Sequence, residues 1–84
     1  MKKQSNQPRL MLYGTFGCHL CEQAETLIQS VTDTVVSVVE IADDPQLLDR
    51  YAVRIPVLQR LDTGEELGWP FDAAAIRHWL AIRE

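Results

Sequence analysis

Eighty-four residues, 46% hydrophobic and 24% charged, suffice for one globular domain and exclude both a second catalytic lobe and a disordered chain. Eight Lys and Arg stand against 12 Asp and Glu, and the net charge of -4 has the wrong sign for phosphate neutralisation, so no nucleic-acid partner is expected. Two cysteines permit at most one bridge, which rules out a multi-disulfide scaffold and any four-thiolate metal cage.

Met1 to Pro8 is polar, aperiodic and ends in proline, and is expected to be a flexible tail ahead of a single domain over residues 9–84. The basic start Met1-Lys2-Lys3 is followed by an apolar stretch, Leu10 to Tyr13, far too short for a signal-peptide core. No apolar run approaches the roughly 18 residues of a membrane-spanning helix. A soluble, cytoplasmic monomer with no membrane partner is therefore expected.

Leu10 to Tyr13, closed by Gly14 and Gly17, reads as a strand buried on both faces. From Cys21, the residues Ala24, Leu27, Ile28 and Val31 recur at three- and four-residue steps among polar neighbours, the pattern of an amphipathic helix. Val35, Val36, Val38, Val39 and Ile41 form a β-branched run that stops at Asp43-Asp44-Pro45, whose residues also suit the start of a helix. Gln46 to Tyr51 is a short helix, with Leu47, Leu48 and Tyr51 at helical spacing. Val57 to Leu61 and Glu65 to Leu67 flank Asp62-Thr63-Gly64 and predict an antiparallel hairpin. Beyond Trp69-Pro70, Asp72 can cap a closing helix lined by Ala73, Ile76, Trp79 and Leu80. The predicted order is β-α-β-α-β-β-α, an α/β domain. Its four-stranded mixed sheet is flanked by helices in two layers, with Trp69, Phe71 and Trp79 covering the sheet.

Cys18-His19-Leu20-Cys21 falls where the first strand gives way to the first helix, with Gly14 and Gly17 as a flexible approach. At a helix start, unsatisfied backbone N–H groups and the positive dipole end favour thiolate over thiol, which makes Cys18 the candidate nucleophile. Cys21, three residues on and on the same helical face, is the candidate resolving thiol. The chemistry this predicts is thiol–disulfide exchange with a disulfide-bearing protein or a low-molecular-weight thiol compound, driven by a separate reductant. His19 is a candidate for tuning the Cys18 thiolate. Two other readings stand beside exchange: a non-catalytic module that binds a protein partner, and a metal carrier using the two thiolates. Structural zinc takes four ligands, and only His19 and His78 could add nitrogen donors, so no metal site is assigned. Haem attachment requires His directly after the second Cys, where Glu22 stands.

Tyr13 ahead of the C-x-x-C, the motif itself at the head of the first helix, and Ile55-Pro56 before a hairpin together resemble the thioredoxin fold, in particular the small glutaredoxins. The string Gly17-Cys18-His19-Leu20-Cys21-Glu22 is similar to bacterial glutaredoxin-like proteins. The resemblance covers residues 9–84 and implies oxidoreductase activity with no bound cofactor. It also implies that Pro56 is cis and faces the sulfurs, and that the Ile55 backbone holds a substrate strand. Glutathione is the reductant such a family implies, yet Thr15 stands where glutaredoxins commonly carry a Lys that helps bind it. Gly68-Trp69-Pro70-Phe71 likewise replaces their open Gly-Gly turn. Leu12 occupies the position of the buried acid of many thioredoxins.

Overall fold

The computed structural model describes residues 9–81. The predicted tail, residues 1–8, and the last three residues of the predicted domain lie outside the described residues. Strand β1 (Leu10–Gly14) leads into helix α1 (His19–Val31), strand β2 (Val36–Glu40) and a 3-10 turn (Ile41–Asp43). Helix α2 (Pro45–Tyr51), strands β3 (Val57–Arg60) and β4 (Glu66–Gly68), and helix α3 (Ala73–Ala81) complete the chain. The predicted element order therefore stands, and the strands form one mixed sheet in the order β2-β1-β3-β4. The β1–β2 pair, joined through α1, is parallel, whereas β1–β3 and β3–β4 are antiparallel.

Local chemistry sets the boundaries. The Asp44 side chain accepts the Gln46 N–H while Pro45 opens α2, and Asp72 Oδ1 accepts the Ala75 N–H at 2.8 Å to start α3. Gly64 takes a φ of 80° in the β3–β4 connection, a region that residues with a Cβ rarely adopt. Ile41, read from the sequence as the last strand residue, instead begins the 3-10 turn, because the Glu40 carboxylate draws in the Ala42 N–H at 3.0 Å.

Helices cover both faces of the sheet, so there are three layers rather than the two that the sequence predicted. Period-two alternation explains this. Leu10 and Leu12 of β1 point to one side, where they meet Leu58, Ala24 and Ile28 of α1, and Ile76 and Trp79 of α3. Met11 and Tyr13 point to the other, where Tyr51 of α2, Ile41 and Val57 gather. A strand apolar at every position has two faces to bury, and α2 supplies the second lid. Phe71 and Trp79 join the first cluster as expected, with Trp69 packed at its edge. Each fully buried Leu or Ile contributes about 1.5–3 kcal/mol relative to exposure.

Two polar anchors tie the sheet to its helices. Beneath α3, the buried Arg60 guanidinium donates to the Trp79 carbonyl at 2.6 Å and to both Asp62 oxygens at 3.0 and 2.8 Å. On the other face, buried Tyr51 stacks on Tyr13 with ring centroids 4.3 Å apart and donates its hydroxyl to Glu66, which also accepts from Arg54 at 3.0 Å. Burial, and then the Glu66 carboxylate, push the Tyr51 phenol up to about 12, and the Tyr51 hydroxyl, with Arg54 behind it, holds Glu66 below its ordinary value. A lowered carboxyl contributes stability above its unfolded pKa that is lost as pH falls through the folded one. A raised phenol contributes stability below about 10 that is lost as pH rises toward 12. Tyr51→Phe should therefore cost about 1.5 kcal/mol near neutrality, as for hydrogen bonds to charged groups. In urea titrations the gap to the parent should narrow below about pH 4 and above about pH 10. A gap independent of pH would contradict this assignment.

Candidate active site

The end of β1 delivers the chain to the thiol pair through a tight turn. The Cys18 N–H donates to the Thr15 carbonyl at 3.2 Å, and Gly17, third in this turn, has a φ of 82°. Gly14 has a different task. A Cβ built there would lie 3.0 Å from Cys21 Sγ, so the strand end and the helix approach as closely as they do because no side chain intervenes. The two glycines are structural requirements rather than a flexible approach.

Glu40 at the end of β2 fixes this turn from outside. Its carboxylate accepts from the Thr15 hydroxyl at 2.6 Å, the Phe16 N–H at 2.8 Å and the Ala42 N–H at 3.0 Å. The Thr15 hydroxyl foremost, then the Ala42 and Phe16 amides, hold the Glu40 carboxyl below the ordinary carboxylate range. Nothing in the sequence singled out this residue. The signal available was an acid closing a β-branched run, next to β1 and therefore beside the loop that leaves it.

Cys18 is the N-cap of α1, and its Sγ accepts the Cys21 backbone N–H at 3.1 Å. A sulfur at this place satisfies an orphan amide of the first turn, as an N-cap oxygen does elsewhere. Cys18 and Cys21 form a disulfide with Cα atoms 5.2 Å apart. Cys18 is partly exposed and Cys21 buried, so Cys18 is the more accessible sulfur of the pair. The Phe16 side chain beside them is 98% exposed.

Ile55-Pro56 is a cis peptide, as the resemblance implied, and Pro56 is buried. Tyr13 pairs with Val57, so the next residues along the two antiparallel strands are Gly14 and Pro56, at the sheet end where Gly14 abuts Cys21. The Ile55 N–H donates to the Tyr51 carbonyl at 3.1 Å. Trp69-Pro70 is also cis, and the Trp69 N–H donates to the Pro56 carbonyl at 3.2 Å, which places the bulky replacement of the Gly-Gly turn at this same end. His19 is exposed and lies by Glu22, Gln23 and Leu27 on the outer surface of α1. Among the described residues, no three His, Cys, Asp or Glu side chains gather as a metal site, and no helix is long and apolar enough to cross a membrane.

Residues 9–81 match the family model described as glutaredoxin-like domain (DUF836). The crystal structure of protein XcR50 from X. campestris superposes with a TM-score of 0.79 at 42% identity, over 84% of this chain and 93% of that one. The solution structure of XcR50 gives 0.77 at 42% identity, over 86% and 91%. Protein Ne2328 of Nitrosomonas europaea gives 0.75 at 29% identity, over 96% and 100%. A search of curated proteins finds no match. With a thioredoxin-like fold, a disulfide-capable C-x-x-C at the head of α1 and a family match over nearly its whole length, this chain belongs to the glutaredoxin-like domain family.

Proposed function

We propose that the protein is a thiol–disulfide oxidoreductase that passes electrons in pairs through Cys18 and Cys21. The observation that carries this reading is the Cys18 sulfur at the N-cap of α1, accepting a backbone N–H and already within bonding reach of Cys21. The same N–H and the helix dipole stabilise a thiolate there once the disulfide is reduced.

In the reducing direction, Cys18 thiolate attacks one sulfur of a substrate disulfide, forms a mixed disulfide and expels the first substrate thiolate. Cys21, deprotonated, then attacks Cys18 Sγ and expels the second. Two electrons pass to the substrate and the protein is left oxidised, to be restored by a separate thiol donor. On this reading Ile55 and Pro56, at the sheet end where Gly14 abuts Cys21, present the substrate, and His19, directly after Cys18, is the adjacent group able to tune its charge. Substrates on this reading are protein disulfides or small disulfides in the cytoplasm, where a lone C-x-x-C is more useful as a redox couple than as a static bridge.

The test is a single turnover. Pre-reduced protein mixed with the neutral bis(2-hydroxyethyl) disulfide should release two equivalents of 2-mercaptoethanol and return as the Cys18–Cys21 disulfide. No thiol release above the uncatalysed background would overturn the proposal.

A further inference from the structure

On the side of the disulfide away from β3, α1 leaves part of the sheet uncovered. Parallel pairing sets Leu12 beside Val38 and Gly14 beside Glu40. All four border a cavity of about 280 Å³ with Cys18 and Cys21, and Glu22 and Glu25 of α1 line it as well. Val38 in particular is 57% exposed, although it lies on a face that buries Leu12 fully. The surface thus sets an exposed apolar side chain, Val38, among three carboxylates. Its lining contains no Lys, Arg or His, and among the described residues neither Glu22 nor Glu25 is in an ion pair. Glu40 stays anionic because three donors hold it so.

Such a surface fits one kind of group, an aliphatic stem ending in a cation, whose methylenes cover the exposed Val38 while the charged head meets the carboxylates. We propose that this groove is the specificity site for the disulfide substrate, receiving a lysine or arginine side chain, or an alkylammonium group, that lies next to the reacting sulfur. The assignment rests on the redox reading above and adds the substrate class: disulfides flanked by positive charge are preferred, and anionic ones, glutathione disulfide among them, are disfavoured. A net charge of -4 adds a weaker long-range attraction, which the test must separate from the groove.

The measurement is the single-turnover rate of pre-reduced protein with cystamine, bis(2-hydroxyethyl) disulfide and 3,3′-dithiodipropionate, which are cationic, neutral and anionic. Each rate is divided by that of dithiothreitol with the same disulfide to remove intrinsic reactivity. In each case the protein dithiol becomes the Cys18–Cys21 disulfide and the probe becomes two thiols. The normalised cystamine-to-dithiodipropionate ratio should be at least about tenfold at low salt, and the Glu22→Gln/Glu25→Gln variant should bring it to within about threefold of unity. Asp33→Asn/Glu65→Gln removes equal charge at positions remote from the groove and should leave most of the ratio intact. A parent ratio near one, a ratio unmoved by the Glu22/Glu25 change, or an equal fall in the remote variant overturns the inference. Reduction of the neutral probe in those cases shows that the redox reading survives alone, whereas failure with all three probes removes both.

Discussion

Cys18→Ser is expected to lower disulfide reduction on the order of a thousandfold or more, since it removes the partly exposed sulfur at the helix N-terminus. Cys21→Ser should fail differently. Its Cys18 can still attack, so the reaction should stop at a mixed disulfide, visible by mass as one covalently held substrate half per chain. The asymmetry follows from burial: Cys21 is 9% exposed and touches the position where a Gly14 Cβ would be, whereas Cys18 is open to an incoming sulfur. Retention of more than about a tenth of the parent rate by Cys18→Ser, or a trapped adduct on Cys21 instead of Cys18, would reverse the assignment of attacking and resolving thiols.

Arg60→Ala should produce the largest loss of stability outside the apolar core. The guanidinium is 3% exposed and reaches the Trp79 carbonyl in the last turn of α3, the Asp62 carboxylate in the hairpin and the face of the Trp79 ring 5.7 Å away. Its removal leaves that helix-end carbonyl buried without this donor and frees the hairpin from α3. A cost of about 3 kcal/mol is expected, a fall of roughly 15 °C in Tm. Asp62→Asn should cost far less, because the Asp62 side chain is 45% exposed and water can replace its partner. Thermal unfolding of the two variants checks the contrast, and equal losses would mean that the pair, and not the bond to Trp79, matters.

The order of elements was legible because each carries its own local mark: period-two or unbroken apolar runs for the strands, three- and four-residue spacing for the helices, and Asp44-Pro45, Gly64 and Asp72 at the junctions. The thiol pair was equally legible, since the C-x-x-C falls where a strand pattern yields to a helical one. What escaped the sequence depends on distant partners. Arg60 reads as an ordinary strand charge until Trp79 arrives above it. Glu40 reads as a strand terminus until Thr15 and Phe16 donate to it from across the β1–β2 pair. The second layer of helix follows from β1 being apolar on both faces, yet which helix covers which face is set by the connections. The groove between α1 and β2 arises from incomplete coverage of Val38, and no local pattern announces a gap.

Exchange through this pair requires Cys18 to become an anion easily. Three carboxylates line the adjacent cavity and oppose this, but they act across a solvent-filled space, whereas the Cys21 N–H meets the sulfur directly at 3.1 Å and the helix dipole adds to it. The direct donor should prevail. The decisive measurement is the pH dependence of Cys18 alkylation by iodoacetamide in the reduced Cys21→Ser variant, followed by mass. The predicted result is a midpoint clearly below the free-thiol value of about 8.5. A midpoint at or above that value would contradict an activated thiolate at the head of α1.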